Sequence, residues 1–166
     1  VYICHCGGNI SDYVDVEKVR QSVENDDNIV LAKTTMFACS DANQKDMVDD
    51  INNFNLDGVI VASCSPKLHL VTFRNVTERG NLNKYTYVHS NIREQASWAH
   101  SDNKEGATEK AIHLVKSAIA KARHTQPLDP TKIKAEKSVA VIGAGASGAL
   151  TAAAILVSLV TGVGKR

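Results

Sequence analysis

The run Gly58-Val59-Ile60-Val61-Ala62-Ser63 constrains the fold more than any other segment. It carries no charge and does not alternate between polar and apolar residues, so as a strand it is buried on both faces. Such a strand needs helices above and below it, which predicts a parallel sheet in an α/β domain. The rest of the first hundred residues agrees. Val1 to Cys4 reads as a first strand, Asn28 to Ala38 contains a second, and Lys84 to His89 alternates like a fourth. Helical patterns separate them. One runs from about Asp15 to Asn25 on Val16, Val19 and Val23. A second is capped by Ser40-Asp41 and runs to about Asn53 on Met47, Val48 and Ile51. A third opens at Ser65-Pro66 and ends near Gly80. Asn91 to Ser97 starts a further turn or helix. A capping signal at Ser101-Asp102 then precedes a long helix from about Glu105 to Ala122, with Ala111, Leu114, Val115, Ala118 and Ile119 as its stripe.

Cysteines mark the ends of these strands. Cys4 and Cys6 close the first, Cys39 follows the second, and Cys64 follows the third. In a parallel sheet every strand-to-helix turn lies on one edge, where open α/β sheets place their sites. The spacing therefore predicts that the four thiols converge. Four thiolates suit a [4Fe–4S] cluster or a tetrahedral zinc ion. The compact cysteine run of ferredoxins is absent, so a cluster here would draw on distant positions. The N-terminus shows no secretory pattern, which favours metal or redox use over structural disulfides. The plainer alternative is that two or more of the cysteines are buried apolar residues. His5 and His69 lie beside the cysteine turns and could tune a metal, although structural roles are favoured. Arg93 and Glu94 read as an ion pair near the same edge. Arg74 faces either an anionic group or solvent. Trp98, the single tryptophan, is expected to pack on the long helix.

Net charge is +1 over 166 residues and no basic block occurs, which gives nucleic-acid binding no support. Ala149 to Val163 is the most apolar stretch. It is shorter than the roughly 20 residues a membrane span requires, so it reads as a buried helix and the chain as cytoplasmic. Thr125 to Lys137, with Pro127 and Pro130, forms a linker. The expected organisation is an N-terminal α/β domain over 1–124, a linker over 125–137, and the start of a second domain over 138–166. That start reads as a strand, Ser138 to Ile142, then Gly143-Ala144-Gly145-Ala146-Ser147-Gly148, then an alanine-rich helix. This is the first βα unit of a dinucleotide-binding fold. In it Gly143, Gly145 and Gly148 would let the backbone approach a pyrophosphate at a helix N-terminus. No Asp or Glu follows Glu136, so the acidic partner for a ribose hydroxyl is missing and at most half of a nucleotide site is present.

Several motifs together resemble the A subunit of heterodisulfide reductase. They are Cys4-His5-Cys6-Gly7-Gly8-Asn9-Ile10, Cys39-Ser40-Asp41, and Ala62-Ser63-Cys64-Ser65-Pro66-Lys67-Leu68-His69 with Thr72-Phe73-Arg74. The run Asn91-Ile92-Arg93-Glu94-Gln95-Ala96-Ser97-Trp98-Ala99-His100 is the most specific. The long helix, the proline linker and the glycine turn follow in the same order, up to about Ala154. The resemblance implies an iron–sulfur flavoprotein with [4Fe–4S] clusters and with FAD in a thioredoxin-reductase-like domain. It implies electron transfer among a hydrogenase or formate dehydrogenase, ferredoxin, and the other heterodisulfide reductase subunits that reduce the CoM–S–S–CoB disulfide of methanogens. Relatives serve sulfur metabolism, and the flavin of many complexes bifurcates electron pairs. The full complex would be a homo-oligomer.

Two departures stand out. Ala96 occupies a place where the family usually has cysteine, and the family's later ferredoxin motifs are absent. The expected architecture is therefore a parallel, flavodoxin- or Rossmann-like N-terminal domain followed by the first βα unit of an FAD-binding domain. Cys4, Cys6, Cys39 and Cys64 are the candidate ligands. The segment alone is not expected to catalyse heterodisulfide reduction. A docking module with free thiols and a structural zinc domain are the alternatives.

Overall fold

The computed structural model describes residues 1–134 and 138–161. They fall into two compact units, the first spanning Val1–Asp129 and the second beginning at Pro130.

The first unit holds four strands: β1 (Tyr2–Cys4), β2 (Lys33–Thr35), β3 (Val59–Ser63) and β4 (Tyr87–Asn91). They form one sheet in the order β2-β1-β3-β4, with every neighbouring pair parallel. Four helices connect or follow them: α1 (Val16–Val23), α2 (Asp41–Asn53), α3 (Pro66–Arg79) and α4 (Lys104–Ala122). From β1 the chain steps to one side for β2, then crosses to the other side for β3 and β4. Crossovers of one hand place helices on opposite faces when the direction reverses. Accordingly α1 packs with α4, and α2 with α3. The reversal sits between the carboxyl ends of β1 and β3, at Cys4 and Cys64, which is the topological switch point of the sheet.

All five positions of β3 are buried, as its composition requires. Ile3, Val61, Phe73, Val76, Ile92 and Val115 complete a dry interior. Side chains cap the helix starts. Asp15 accepts from the Lys18 amide (2.9 Å), Ser40 from Asn43 (3.4 Å) and Ser65 from Lys67 (3.3 Å).

Some boundaries differ from expectation. Asn103 caps α4, accepting from the Gly106 amide at 2.9 Å, while Ser101-Asp102 belong to the preceding turn. Strand β2 covers three residues within 28–38, because its partner β1 ends at Cys4 and leaves nothing further to pair with. Strand β4 starts at Tyr87, since Asn83 folds the residues after it into a turn by accepting from the Tyr85 amide at 2.9 Å. The segment after Asn91 is a π-helical turn, Arg93–Ser97.

The second unit contains α5 (Ala146–Thr161). The strand expected over Ser138 to Ile142 does not form: these residues have no regular structure, and Ile142 is 98% exposed. A strand exists only by pairing, and among the described residues of this unit there is no second strand to pair with. The βα unit is thus represented by its glycine turn and helix alone. The sequence predicts a buried α5, yet Leu150, Leu156 and Val157 are exposed, with no other helix or strand among this unit's described residues to cover them. The last linker residues, 135–137, and the chain end, 162–166, lie outside the described residues. Among those described, no helix is long and apolar enough to cross a membrane.

Phe73 is 1% exposed, and its ring lies 5.8 Å from that of Tyr87 and 5.9 Å from that of His89. Phe73→Ala should cost about 3–5 kcal/mol in urea unfolding. Asn103→Ala, a cap loss at the surface, should cost about 1 kcal/mol. Equal costs would contradict this placement of the core.

Candidate functional site at the carboxyl edge of the sheet

Cys4 is the last residue of β1 and is buried. Its sulfur accepts from the Cys6 amide at 3.2 Å and the Ala38 amide at 3.4 Å, and its S–H faces the Met36 carbonyl at 3.7 Å. One sulfur therefore ties together the turns that follow β1 and β2. The first of these turns needs unusual backbone. Cys6, Gly7 and Gly8 have φ of 55°, 59° and 99°, which brings Cys6 back over Cys4. A side chain on Gly7 would also strike the Phe37 ring. Cys39 is half-buried just before α2, and its carbonyl accepts from Gln44 Nε2 at 2.7 Å.

Cys64 is buried and directly follows β3. Its carbonyl accepts from His89 Nε2 at 2.5 Å, with Ser63 Oγ at 3.3 Å from the same nitrogen. The Tyr87 hydroxyl donates to His89 Nδ1, which makes Nε2 the protonated nitrogen. Burial holds the His89 pKa below its usual 6.5, against the upward pull of the Cys64 carbonyl.

Electrostatics links the thiols in pairs. Burial pushes the Cys4 thiol up to about 11. The Ala38 and Cys6 amides pull it down, and Cys6 and Cys39 push it up. Burial also raises the Cys64 thiol, with Arg93 opposing and Cys6 adding to the rise. Each of the four sulfurs thus lies within reach of another's charge. As they stand, no three His, Cys, Asp or Glu side chains among the described residues are close enough to hold a metal ion. None of the four cysteines is in a disulfide.

The turn after β4 supplies a cation. Arg93 Nη1 donates to Cys6 Sγ at 3.5 Å, Nη2 donates to Glu94 Oε1 at 2.7 Å, and the guanidinium lies 4.5 Å over the Trp98 ring. The expected ion pair is present, but its contact with Cys6 was not foreseen. Trp98 is half-exposed, and its ring lies against Arg93. His69 is partnered by Thr72 and the Phe73 ring, and Arg74 by the Tyr85 ring. His5 contributes through its backbone, its amide donating to Thr35 at 2.8 Å. Sequence reasoning missed His89 and Tyr87. The period of two along β4 puts both on one face, and that pattern could have linked them to Cys64.

No protein-family model matches the chain. Curated relatives do. The A subunit of the H(2):CoB-CoM heterodisulfide,ferredoxin reductase of Methanothermobacter marburgensis is 47% identical over 148 residues, 89% of this chain and 22% of the relative. The A subunit of the ferredoxin/F(420)H(2)-dependent CoB-CoM heterodisulfide reductase of Methanosarcina acetivorans is 45% identical over 89% of this chain and 19% of its own length. The chain is homologous to the A subunit of heterodisulfide reductase. A third relative of this kind, from Methanocaldococcus jannaschii, is 40% identical over 89% of the chain and is named an iron-sulfur subunit. The chain spans about a fifth of the length of these relatives.

Two further parts of the chain read differently beside heterodisulfide reductase. Ala96 is fully buried in the π-helical turn, and its carbonyl accepts from the His100 amide at 3.0 Å, so it serves as core. Gly143, Gly145 and Gly148 belong to the second unit. Gly143 has φ of 123°, and a side chain on Gly148 would collide with the Gly143 carbonyl, so this tight turn requires glycine.

Two measurements check this geometry. In the reduced, metal-free chain, maleimide should label half-buried Cys6 and Cys39 before buried Cys4 and Cys64; equal rates would contradict it. The unfolded chain binds a proton at His89 below about pH 6.5, while the fold resists that proton. Stability should therefore fall as pH drops from about 7.5 to about 5.5. His89→Gln should flatten that slope in urea unfolding.

Proposed function

We propose that this chain is an electron-transfer segment of a heterodisulfide-reductase-type complex, in which Cys4, Cys6, Cys39 and Cys64 hold a [4Fe–4S] cluster. The reading is supported by four cysteines outside any disulfide that follow three strand ends at one edge of a parallel sheet, Cys4 and Cys64 at its switch point. The surroundings suit such a group. Amide donors face the Cys4 sulfur, a guanidinium touches the Cys6 sulfur, and Cys4 and Cys64 are buried. The word iron-sulfur in the names of relatives agrees with it. The cluster, when bound, supplies one-electron reduction and oxidation.

The chain's own residues do the rest. Cys4 and Cys64 are fixed to the sheet, the second through His89. Cys6 and Cys39 lie on the turns after β1 and β2 and would supply the remaining ligands. Amide donors to sulfur and exclusion of water then set how readily an electron is accepted.

The larger role is proposed by likeness to relatives of whose length this chain spans about a fifth. That role passes electrons from a hydrogenase, formate dehydrogenase or ferredoxin toward subunits reducing CoM–S–S–CoB, in the cytoplasm. FAD would sit at Gly143, Gly145 and Gly148.

Anaerobic iron, sulfide and zinc analysis after reconstitution tests the reading. About four iron and four sulfide per chain, with broad visible absorbance, are expected. Single Cys→Ser changes at positions 4, 6, 39 and 64 should each lower that content. Stoichiometric zinc without iron, or no metal at all, would overturn the redox reading.

A further inference from the structure

The carboxyl edge of the sheet keeps large apolar side chains in solvent. Met36 and Phe37 follow β2, Leu68 lies in the first turn of α3, and Trp98 follows β4. Each is 47–57% exposed. Contacts join them into one patch. An added Cβ on Gly7 would stand 2.7 Å from the Phe37 ring, so that ring lies on the turn after β1. From the same turn, Cys6 Sγ accepts from Arg93 Nη1 at 3.5 Å, and the Arg93 guanidinium lies 4.5 Å from the centre of the Trp98 ring. Pro66 and Leu68 line a cleft together with Arg93 and Glu94. The patch therefore runs from Phe37 through Arg93 to Trp98, with Leu68 beside Arg93 in the cleft. Single exposed apolar side chains are ordinary, but a contiguous exposed patch marks an interaction site. Aromatic residues, Met and Arg are also the types enriched at the centres of protein interfaces.

Charge narrows the choice of partner. The four strand-to-helix connections carry Asp12, Asp15, Glu94 and Asp102 against Arg93 alone, a net of −3 with histidines neutral, in a chain whose total is +1. The opening turns of the four helices leave this balance unchanged, because Glu17, Asp41 and Glu105 offset Lys18, Lys67 and Lys104. An acidic edge repels nucleic acid and anionic membrane surfaces and attracts a basic protein surface. One acceptor in the cleft is also open. Glu94 Oε1 accepts from Arg93, while Glu94 Oε2 is buried without a partner, and a lysine or arginine entering the cleft would supply its donor.

We propose that this edge is a docking surface for another protein, which lays on it a segment whose apolar side chains are flanked by lysine or arginine. Phe37, Leu68 and Trp98 take the apolar side chains, and the acidic connections take the basic ones.

Trp98 is the single tryptophan, so its emission reports directly whether the patch is covered. The test titrates the full chain with a synthetic amphipathic helix of leucine and lysine, and with a matched helix of leucine and glutamate. The lysine peptide should shift Trp98 emission to the blue and cut its quenching by iodide several-fold, and its affinity should fall several-fold as salt rises. The glutamate peptide should do neither. Phe37→Ser and Leu68→Ser should each weaken binding of the lysine peptide about fivefold or more. Asp12→Asn combined with Asp102→Asn should weaken it at low salt and change little at high salt. Thermal melts confirm that each variant folds, and two separate apolar variants keep the test decisive if one does not. Equal responses to the two peptides, or binding untouched by the apolar variants that fold, overturn the proposal. A free chain that sediments as a dimer with Trp98 already shielded from iodide also overturns it, since a second copy then occupies the patch.

Discussion

Parallel pairing of β1 with β3 sets the position of everything else in the first unit. Tyr2 lies beside Val61 and Ile3 beside Ala62, so both strands run the same way and end at the same edge. Burial of β3 makes the arrangement stable. Each fully buried Val or Ile contributes about 1.5–3 kcal/mol, and helices on both faces keep them dry. Because β1 connects to one side and β3 to the other, their ends mark the place where the sheet reverses direction. Cys4 and Cys64 stand at that place, and the turns bearing Cys6 and Cys39 follow β1 and β2 at the same edge.

The site then depends on how firmly each sulfur is held. Cys4 sits at the junction of two turns and takes two amide bonds, so it cannot move without shifting both. Cys64 is fixed through its carbonyl by a histidine that is itself fixed by a tyrosine. Cys6 and Cys39 sit on loops, with Arg93 steadying the first. Among the described residues no three His, Cys, Asp or Glu side chains stand together closely enough to hold a metal ion.

Much of this was legible from residues alone. The uniformly apolar β3 gave the parallel sheet, and a parallel sheet with cysteines at strand ends gave the shared edge. The Ser40 and Ser65-Pro66 signals placed α2 and α3 correctly. What stayed hidden depended on contacts between distant segments. The length of β2 is set by where β1 stops, and the Arg93–Cys6 contact joins residues 87 positions apart. The Arg93–Trp98 contact depends on an i+5 register after Ile92 that a helical period cannot foresee. The strand at Ser138 to Ile142 was inferred from local pattern, but a strand needs a partner that the described residues of the second unit do not contain.

Cobalt(II) titration of the reduced, anaerobic chain and its four single Cys→Ser variants tests the central claim, that topology delivers Cys4, Cys6, Cys39 and Cys64 to one place. The account predicts one thiolate-bound cobalt per chain, with uptake weakened by each of the four replacements. Cobalt uptake that is absent, or that is untouched by replacing Cys39 or Cys64, would contradict it.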